Sequence, residues 1–326
     1  MRARAAEAET DMPPVPGTLT IGVLMGGSSR ERPVSLESGR AVAEALEGLG
    51  HTVRPADVRP GDLTAERLRG IDVAFLALHG EWGEDGQIQA ELERLGVAYT
   101  FSGPEASRLA MNKVSAKHRF FRAGVPTPPF RVARRGDARS LRDARQHLGS
   151  GLVVKPVAEG SSLGVSLCDT EEFLVAAAEE VWAQYEWVLV EQRILGREFT
   201  VGILGESALP LIEIRTPGGW YDYHFKYESD RTEFVFEHGL DAGTESRMVA
   251  TALAAHRALG CRDLSRVDIM LSGSGELQVL EVNTIPGFTS HSLVPKAAAR
   301  AGIPFGRLCE RILAMALERR GAADRG

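Results

Sequence analysis

Cysteine is scarce in this 326-residue chain, and the three that occur, Cys168, Cys261 and Cys309, are far apart. That spacing excludes a disulfide scaffold and offers neither metal nor redox pairing, so they read as buried or incidental thiols of a reducing compartment, the cytoplasm. No apolar run approaches the roughly 20 residues of a membrane helix. Residues 1–17 are polar, acidic and proline-bearing, without the apolar centre of a secretory signal, and are expected to form a disordered tail. A basic stripe is also missing. With a net charge of −6, neither a nucleic acid nor an anionic membrane is expected as a partner, and any phosphate site must be local. The two common phosphate loops, Gly-x-x-x-x-Gly-Lys and Gly-x-Gly-x-x-Gly, are absent too, which disfavours a dinucleotide-dependent oxidoreductase.

What is present is an ordinary globular balance, 44% hydrophobic and 25% charged residues, with length for about two domains. Leu19 to Met25 is an apolar run ending in Gly26-Gly-Ser-Ser29, and Val34 to Leu49 has helical spacing. A second unit follows, with strands at Val53 to Asp57 and Val73 to Leu78, a helix at Gly86 to Leu95 and a strand at Val97 to Thr100. This alternation predicts a parallel α/β sheet with functional loops at its carboxyl edge, where Gly26-Gly27 and His79 fall. A helix from Ser107 to Ala123 carries Lys113 and ends at a proline-rich linker, Gly124 to Pro129. Beyond it, strands at Leu152 to Pro156, Trp187 to Gln192, Glu198 to Leu204 and Ala208 to Arg215, with helices at Thr170 to Ala183 and Glu245 to Leu259, predict an α+β part with antiparallel sheet. Leu293 to Glu318 reads as largely helical.

The most informative stretch is Arg266-Val-Asp268 followed by Glu281-Val-Asn283-Thr-Ile-Pro-Gly287. Val267 to Leu271 and Leu277 to Val282 read as a hairpin across Ser272-Gly-Ser-Gly275. Glu281 and Asn283 then share a face, and register can bring Asp268 opposite them. Hard oxygen donors of this kind suit Mg²⁺, which takes its remaining ligands from water and phosphate; a plainly solvated hairpin is the alternative. Lys155 sits inside an apolar strand, where a lysine is expected only beside an anion. Glu159-Gly-Ser-Ser-Leu-Gly164 has the small residues and free amides of a phosphate cover, or of a surface turn. Glu191-Gln192-Arg193-Ile194 and Glu198 offer backbone groups and carboxylates for an adenine edge and ribose hydroxyls, or a mere strand end. Trp220 to Tyr227 reads as a loop closing over substrate, or as a stacked surface patch. Glu31 and His79 at one strand edge would make a pocket for a small ammonium-bearing ligand; a helix-start acid and a structural histidine are the alternatives.

Taken together, Gly26-Gly-Ser-Ser-Arg-Glu-Arg-Pro-Val-Ser35, Leu78-His-Gly80 with Gly83-Glu-Asp-Gly86, Met111-Asn-Lys113, Lys155-Pro156 with Glu159-Gly-Ser-Ser162, Tyr221-Asp-Tyr223 with Lys226-Tyr227, Arg266-Val-Asp268, and Glu281-Val-Asn283 through His291-Ser-Leu293 resemble the D-alanine–D-alanine ligases of the ATP-grasp superfamily. The motifs run in order from Leu19 to near Leu317. The resemblance implies an ATP-grasp fold behind an N-terminal parallel α/β domain, with boundaries expected at 18–124, 125–205 and 206–320. It also implies ATP and two Mg²⁺ (or Mn²⁺), D-alanine as the other substrate, an acylphosphate route to the dipeptide for peptidoglycan precursors, and a homodimer. A D-alanine–D-lactate or other carboxylate–amine ligase is the alternative within the superfamily. By matching position, Lys113, Lys155 and Lys226 would hold phosphates, with Ser161 in the loop over them, and Glu191, Gln192, Ile194 and Glu198 the nucleoside. Asp268, Glu281 and Asn283 would hold the metals, and Arg266 the transferred phosphoryl group and the tetrahedral oxygen. Glu31 and His79 would bind the first substrate, Ser161 and Tyr227 would tie the loops shut, and Gly287 with Ser292 and Leu293 would bind the second substrate. Tyrosine at 227 implies amide rather than ester formation. The sequence departs from the pattern at Pro33, at Phe101, where glycine is frequent, and at Glu237-His-Gly239.

Overall fold

The computed structural model describes residues 17–216, 232–289 and 292–323. Its first sheet forms from the glycine-bounded apolar runs. In chain order these elements are Thr20–Gly26 (β1), helix Arg32–Glu47 (α1), Thr52–Val58 (β2), Val73–Leu76 (β3), helix Gln87–Arg94 (α2) and Ala98–Tyr99 (β4). The strands lie in the order β2-β1-β3-β4 and every pairing is parallel. β3 is buried along its whole length, as a central parallel strand must be, whereas edge strand β2 exposes Arg54 and tolerates Pro55. Pro33 falls in the first turn of α1, where a missing N–H costs nothing. Phe101 keeps the left-handed backbone that glycine would adopt there, φ 72°. Its N–H bonds Asp263 Oδ2 at 2.8 Å, and its ring packs edge-on against Phe75 at 5.4 Å. These contacts offset the strain of a bulky residue at positive φ.

The helix expected from Ser107 to Ala123 is two, Pro104–Met111 (α3) and Lys113–Arg122 (α4). Asn112 breaks it at φ −86°, ψ 97° and caps the second piece, its side chain accepting from Ser115 N at 2.9 Å. Asparagine competes with helical backbone bonding in this way and favours the N-cap. Lys113 thereby becomes the first residue of α4, and its own N–H reaches across to Val157 O at 2.9 Å.

The second sheet comprises Phe130–Arg134 (β5), Leu152–Pro156 (β6), Ser166–Cys168 (β7) and Trp187–Gln192 (β8), with helices Ala138–Leu148 (α5) and Glu171–Trp182 (α6) packed on it. Its order is β5-β8-β6-β7, antiparallel throughout. The sequence reading passed over β5 and α5. The only strongly buried residues of α5, Leu141, Ala144 and Leu148, lie among exposed arginines, so the apolar stripe is narrow.

The third sheet holds Gly196–Leu204 (β9), Ser207–Ala208 (β10), Ile212–Arg215 (β11), Glu233–Val235 (β12), Leu264–Ser272 (β13) and Leu277–Asn283 (β14), with helix Ala242–Leu259 (α7) against it. Its order is β12-β11-β9-β13-β14, with β10 on β9, again antiparallel. The strand expected over Ala208 to Arg215 is interrupted at Pro210, which has no N–H for a ladder. β9, placed before the expected boundary at 205, pairs with β11 and β13, so the two antiparallel sheets divide at residues 193–195. The expected C-terminal helix is also two, Leu293–Arg300 (α8) and Phe305–Ala323 (α9), separated by a turn with Gly302 at φ 84° and Pro304. α9 returns to the first sheet, where Leu308, Ile312 and Leu313 join the core of Ile21, Val23 and Phe75. Among the described residues no helix is long and apolar enough to cross a membrane.

Candidate active site

The hairpin of β13 and β14 forms as expected, and its register puts Asp268 opposite Glu281 and Arg266 opposite Asn283. Directly after Asp268 the register shifts, so Ile269 faces Val279 and Leu280 is the extra residue of a bulge. On the other side β9 sets Thr200 opposite Asp268 and Glu198 opposite Met270. The Arg266 guanidinium forks onto Asp268, Nε to Oδ1 at 2.9 Å and Nη2 to Oδ2 at 2.8 Å. Thr200 Oγ1 donates to Oδ1 at 2.6 Å and Asn283 Nδ2 to Oδ2 at 3.3 Å. Because its amide nitrogen faces Asp268, the Asn283 oxygen is directed away from that carboxylate. Among the described residues no group of three or more His, Cys, Asp or Glu side chains could hold a metal ion. The set here is two carboxylates and an amide oxygen, which fits Mg²⁺, a hard ion that keeps waters and shares its coordination with phosphates.

Facing this sheet across a cleft are the lysines. Lys155, from the buried strand β6, meets Glu191 Oε2 at 2.5 Å, and Lys117 on α4 meets Glu191 Oε1 at 2.8 Å. Lys117 is 1% exposed and uses its remaining donors on Thr127 Oγ1 at 2.7 Å and Pro128 O at 3.1 Å. Burial pulls the Lys117 ammonium down to about 8, against the pull of Glu191. Burial acts to raise Glu191 and to lower Lys155, but in both the ion pairing prevails, so Glu191 is held low and Lys155 high. Lys113 donates to Glu159 O, at the start of the glycine–serine loop, and lies 3.6 Å from Glu281 Oε2. The expected Lys113, Lys155, Glu191, Gln192, Ile194 and Glu198 thus all line one cleft with Asp268 and Glu281. Glu191 does more than border it, since it neutralises two buried lysines. Lys117 was missed, although its position four residues after Lys113, on the same face as the buried Ala116 and Phe120, is a readable signal.

At the carboxyl edge of the first sheet, Glu31 accepts a hydrogen bond from Ser161 Oγ. Two glycines border that carboxylate closely: a Cβ on Gly80, which also has φ 71°, would stand 2.6 Å from Glu31 Oε2 and one on Gly160 2.9 Å from it, so a side chain at either would push the carboxylate from its place. Ser161 and Ser162 both adopt positive φ, 50° and 56°, which is strained for serine and is held in the loop that meets Glu31. His79 is buried, its Nδ1 3.1 Å from Ile285 O and its Nε2 3.2 Å from Ser38 Oγ. Burial pushes it down to about 4, so the ring is neutral and ties the first sheet to the 285–288 loop. Beside it Glu84, which entered the sequence analysis only within Gly83-Glu-Asp-Gly86, accepts from Gly80 N at 2.7 Å. Burial first, and then Glu31, raises Glu84 to about 8.

Beyond that loop Ser292 is the N-cap residue of α8, Leu293 its first residue, and a Cβ on Gly287 would stand 3.2 Å from Ser292 Oγ. Gly287, Ser292 and Leu293 therefore cluster at a helix N-terminus, a setting that favours a carboxylate. Lys226 and Tyr227, with the rest of the Trp220 to Tyr227 loop, lie outside the described residues.

A parallel α/β sheet ahead of two antiparallel sheets, with Lys155 on one of these and Lys113 on helix α4 facing an Arg-Asp, Glu-x-Asn hairpin on the other, defines an ATP-grasp enzyme. Comparison with known proteins narrows the class. Residues 120–314 match the family described as D-ala D-ala ligase C-terminus, and residues 58–102 match D-ala D-ala ligase N-terminus. The chain is 46% identical over 299 residues to the D-alanine–D-alanine ligase of Alcanivorax borkumensis, covering 92% of this chain and 94% of that one. It is 46% identical over 298 residues to the ligase of Geobacter sulfurreducens, covering 91% and 93%. The crystal structure of the Bacillus anthracis D-alanine–D-alanine ligase complexed with ATP superposes with a TM-score of 0.79 at 31% identity, covering 94% of this chain and all of that one. This chain belongs to the D-alanine–D-alanine ligase family.

Proposed function

We propose that this chain joins two molecules of D-alanine at the expense of ATP, supplying D-alanyl-D-alanine for peptidoglycan precursors in the cytoplasm. The observation that carries the reading is the facing of Lys155 and Glu191 across one cleft from the Asp268 and Glu281 row. The working parts are residues 18–124 for the amino acid, and 125–195 and 196–320 as the two jaws around ATP, acting in a homodimer. Lys113, Lys155 and Lys226 take the phosphates; Gln192, Ile194 and Glu198 edge the adenine and ribose, and Glu191 keeps Lys155 in place. Asp268, Glu281 and Asn283 would hold Mg²⁺ or Mn²⁺, two ions in all, which supply charge screening on the terminal phosphate.

The first D-alanine places its ammonium at Glu31, beside neutral His79. Its carboxylate attacks the γ-phosphorus, the β–γ oxygen bond breaks, and ADP leaves an acylphosphate. Arg266 stabilises charge on the phosphoryl group in flight. The second D-alanine docks its carboxylate at the Gly287 and Ser292–Leu293 amides, and its amine, once deprotonated, adds to the acyl carbon. The tetrahedral oxygen gathers charge near Arg266 and collapses with loss of phosphate. An acylphosphate hydrolyses readily, so water has to be kept out; Ser161 bonded to Glu31 and Tyr227 in the covering loop serve that closure. Tyr227 selects an amine as the second nucleophile.

The deciding assay measures ADP release with D-alanine omitted and supplied, together with dipeptide detection, and repeats it with D-lactate as competitor at neutral pH. D-alanine-dependent ADP release with dipeptide is expected. ATP binding without such turnover would point to a regulator, and preferential depsipeptide formation would end the amide assignment.

A further inference from the structure

The Asp268 carboxylate is held by four hydrogen bonds, and three of them come from side chains that the proposed reaction needs for other work. Two are the Arg266 fork, at 2.9 and 2.8 Å. The third is the Asn283 amide at 3.3 Å, long for a hydrogen bond and from a residue whose oxygen is wanted at the metal. The fourth is different. Thr200, 2% exposed on strand β9 and directly opposite Asp268, gives its hydroxyl proton to Oδ1 at 2.6 Å. That length is typical of a hydroxyl donating to an ionised carboxylate. Nothing else in the proposed chemistry uses this hydroxyl, and β9 holds it in place by pairing on both sides.

Rotation of an aspartate carboxylate about its last bond is soft. When Arg266 turns to the transferred phosphoryl group, Thr200 is the donor that still fixes that rotation. The geometry points to Thr200 as a positioning residue, which holds the Asp268 carboxylate in the orientation a divalent cation requires throughout the reaction. A threonine suits a strand for its branched shape alone, but valine has that shape. Valine puts a methyl group where the hydroxyl stands, which cannot donate to Asp268 and is too large for the 2.6 Å approach, so it releases the carboxylate.

This inference rests on the reading of Asp268 as a metal ligand, and the test separates the two. Mn²⁺ binding to the full chain saturated with ADP is measured from the paramagnetic resonance signal of free Mn²⁺, in the wild type, Thr200→Val, Thr200→Ser and Asp268→Asn, with ADP affinity also measured without metal. Loss of an outer hydrogen-bond partner is expected to weaken Mn²⁺ binding about 10- to 100-fold in Thr200→Val and no more than about threefold in Thr200→Ser. Metal-free ADP affinity is expected to be unchanged in both. Wild-type Mn²⁺ affinity in Thr200→Val alongside a weakened Asp268→Asn would overturn the role of Thr200 and leave the metal site standing. Wild-type affinity in Asp268→Asn would remove the metal reading and this inference with it. An equal loss of metal-free ADP affinity in Thr200→Val would show a merely structural threonine and also overturn it. Thr200→Ala is read in the same way and takes the place of valine where the valine variant does not fold.

Discussion

Replacing Glu191 with glutamine removes the single negative charge between two buried ammonium groups while keeping the side chain's shape. Lys117 Nζ is 2.8 Å and Lys155 Nζ 2.5 Å from its oxygens. At an effective dielectric constant of about 20 each attraction is worth about 6 kcal/mol, much of it offset by desolvation of the three groups. In the variant the desolvation remains and the attraction is gone. Lys117 has an escape, since its pKa already lies at about 8 against an ordinary 10.5. Giving up that proton near neutral pH, roughly three units below the ordinary value, costs about 4 kcal/mol and caps the loss. The expected destabilisation is therefore about 4 kcal/mol, within the range for removing one partner of a buried pair.

The pH dependence carries the sign. The lowered Lys117 value means that between about 8 and 10.5 the unfolded chain binds more protons than the folded one, so this group's contribution improves as pH rises. In Glu191→Gln that window extends further down. The deficit of the variant is thus largest at the acid end, where both proteins keep Lys117 charged, shrinks as pH rises toward about 8, and is level above that, where Lys117 is neutral in both. Urea unfolding without nucleotide at about pH 6.5, 7.5 and 9 reads both the size and the trend. A loss under about 1 kcal/mol, or one that does not change across this range, would refute the account of the triad.

Arg266→Ala is expected to leave ATP affinity largely intact and to lower turnover at least about 100-fold, the scale of a lost transition-state donor; parallel losses in binding and rate would contradict the assigned role. His79, held at about 4 in the folded chain against 6.5, contributes stability that is complete above the unfolded value and is lost as pH falls through that window, by up to about 3 kcal/mol. Its ring resonances in a nuclear magnetic resonance titration should stay those of neutral imidazole at about pH 5.5, and a midpoint near the ordinary histidine value would disprove its burial as a neutral link.

The hairpin was legible because its information is local. Period-two alternation and a glycine–serine turn mark the two strands, whereas the exact register is not periodic: regular pairing from the turn would put Asp268 opposite Leu280, and the bulge brings it to Glu281. The parallel order of the first sheet followed from alternating strands and helices in the same way. Element ends were less legible where one polar side chain outweighs periodicity. Asn112 cuts a helix whose apolar spacing runs on through it, and Pro210 cuts a strand. Helix α5 was hidden by arginines that flank a narrow apolar stripe.

The amino-acid order by itself determined the kinds of elements, the family and the residues able to do phosphoryl chemistry, because side-chain type and short-range spacing are properties of the chain alone. Only the tertiary structure decided what those residues do to one another. Lys117, Lys155 and Glu191 come from three separate elements, α4, β6 and β8, and become a charged triad because the fold brings them together and buries all three. Thr200 acquires its proton acceptor only because β9 lies beside β13 in that register. Burial and strand adjacency set the strength of each charge and hydrogen bond, and neither exists until segments distant in sequence are packed together.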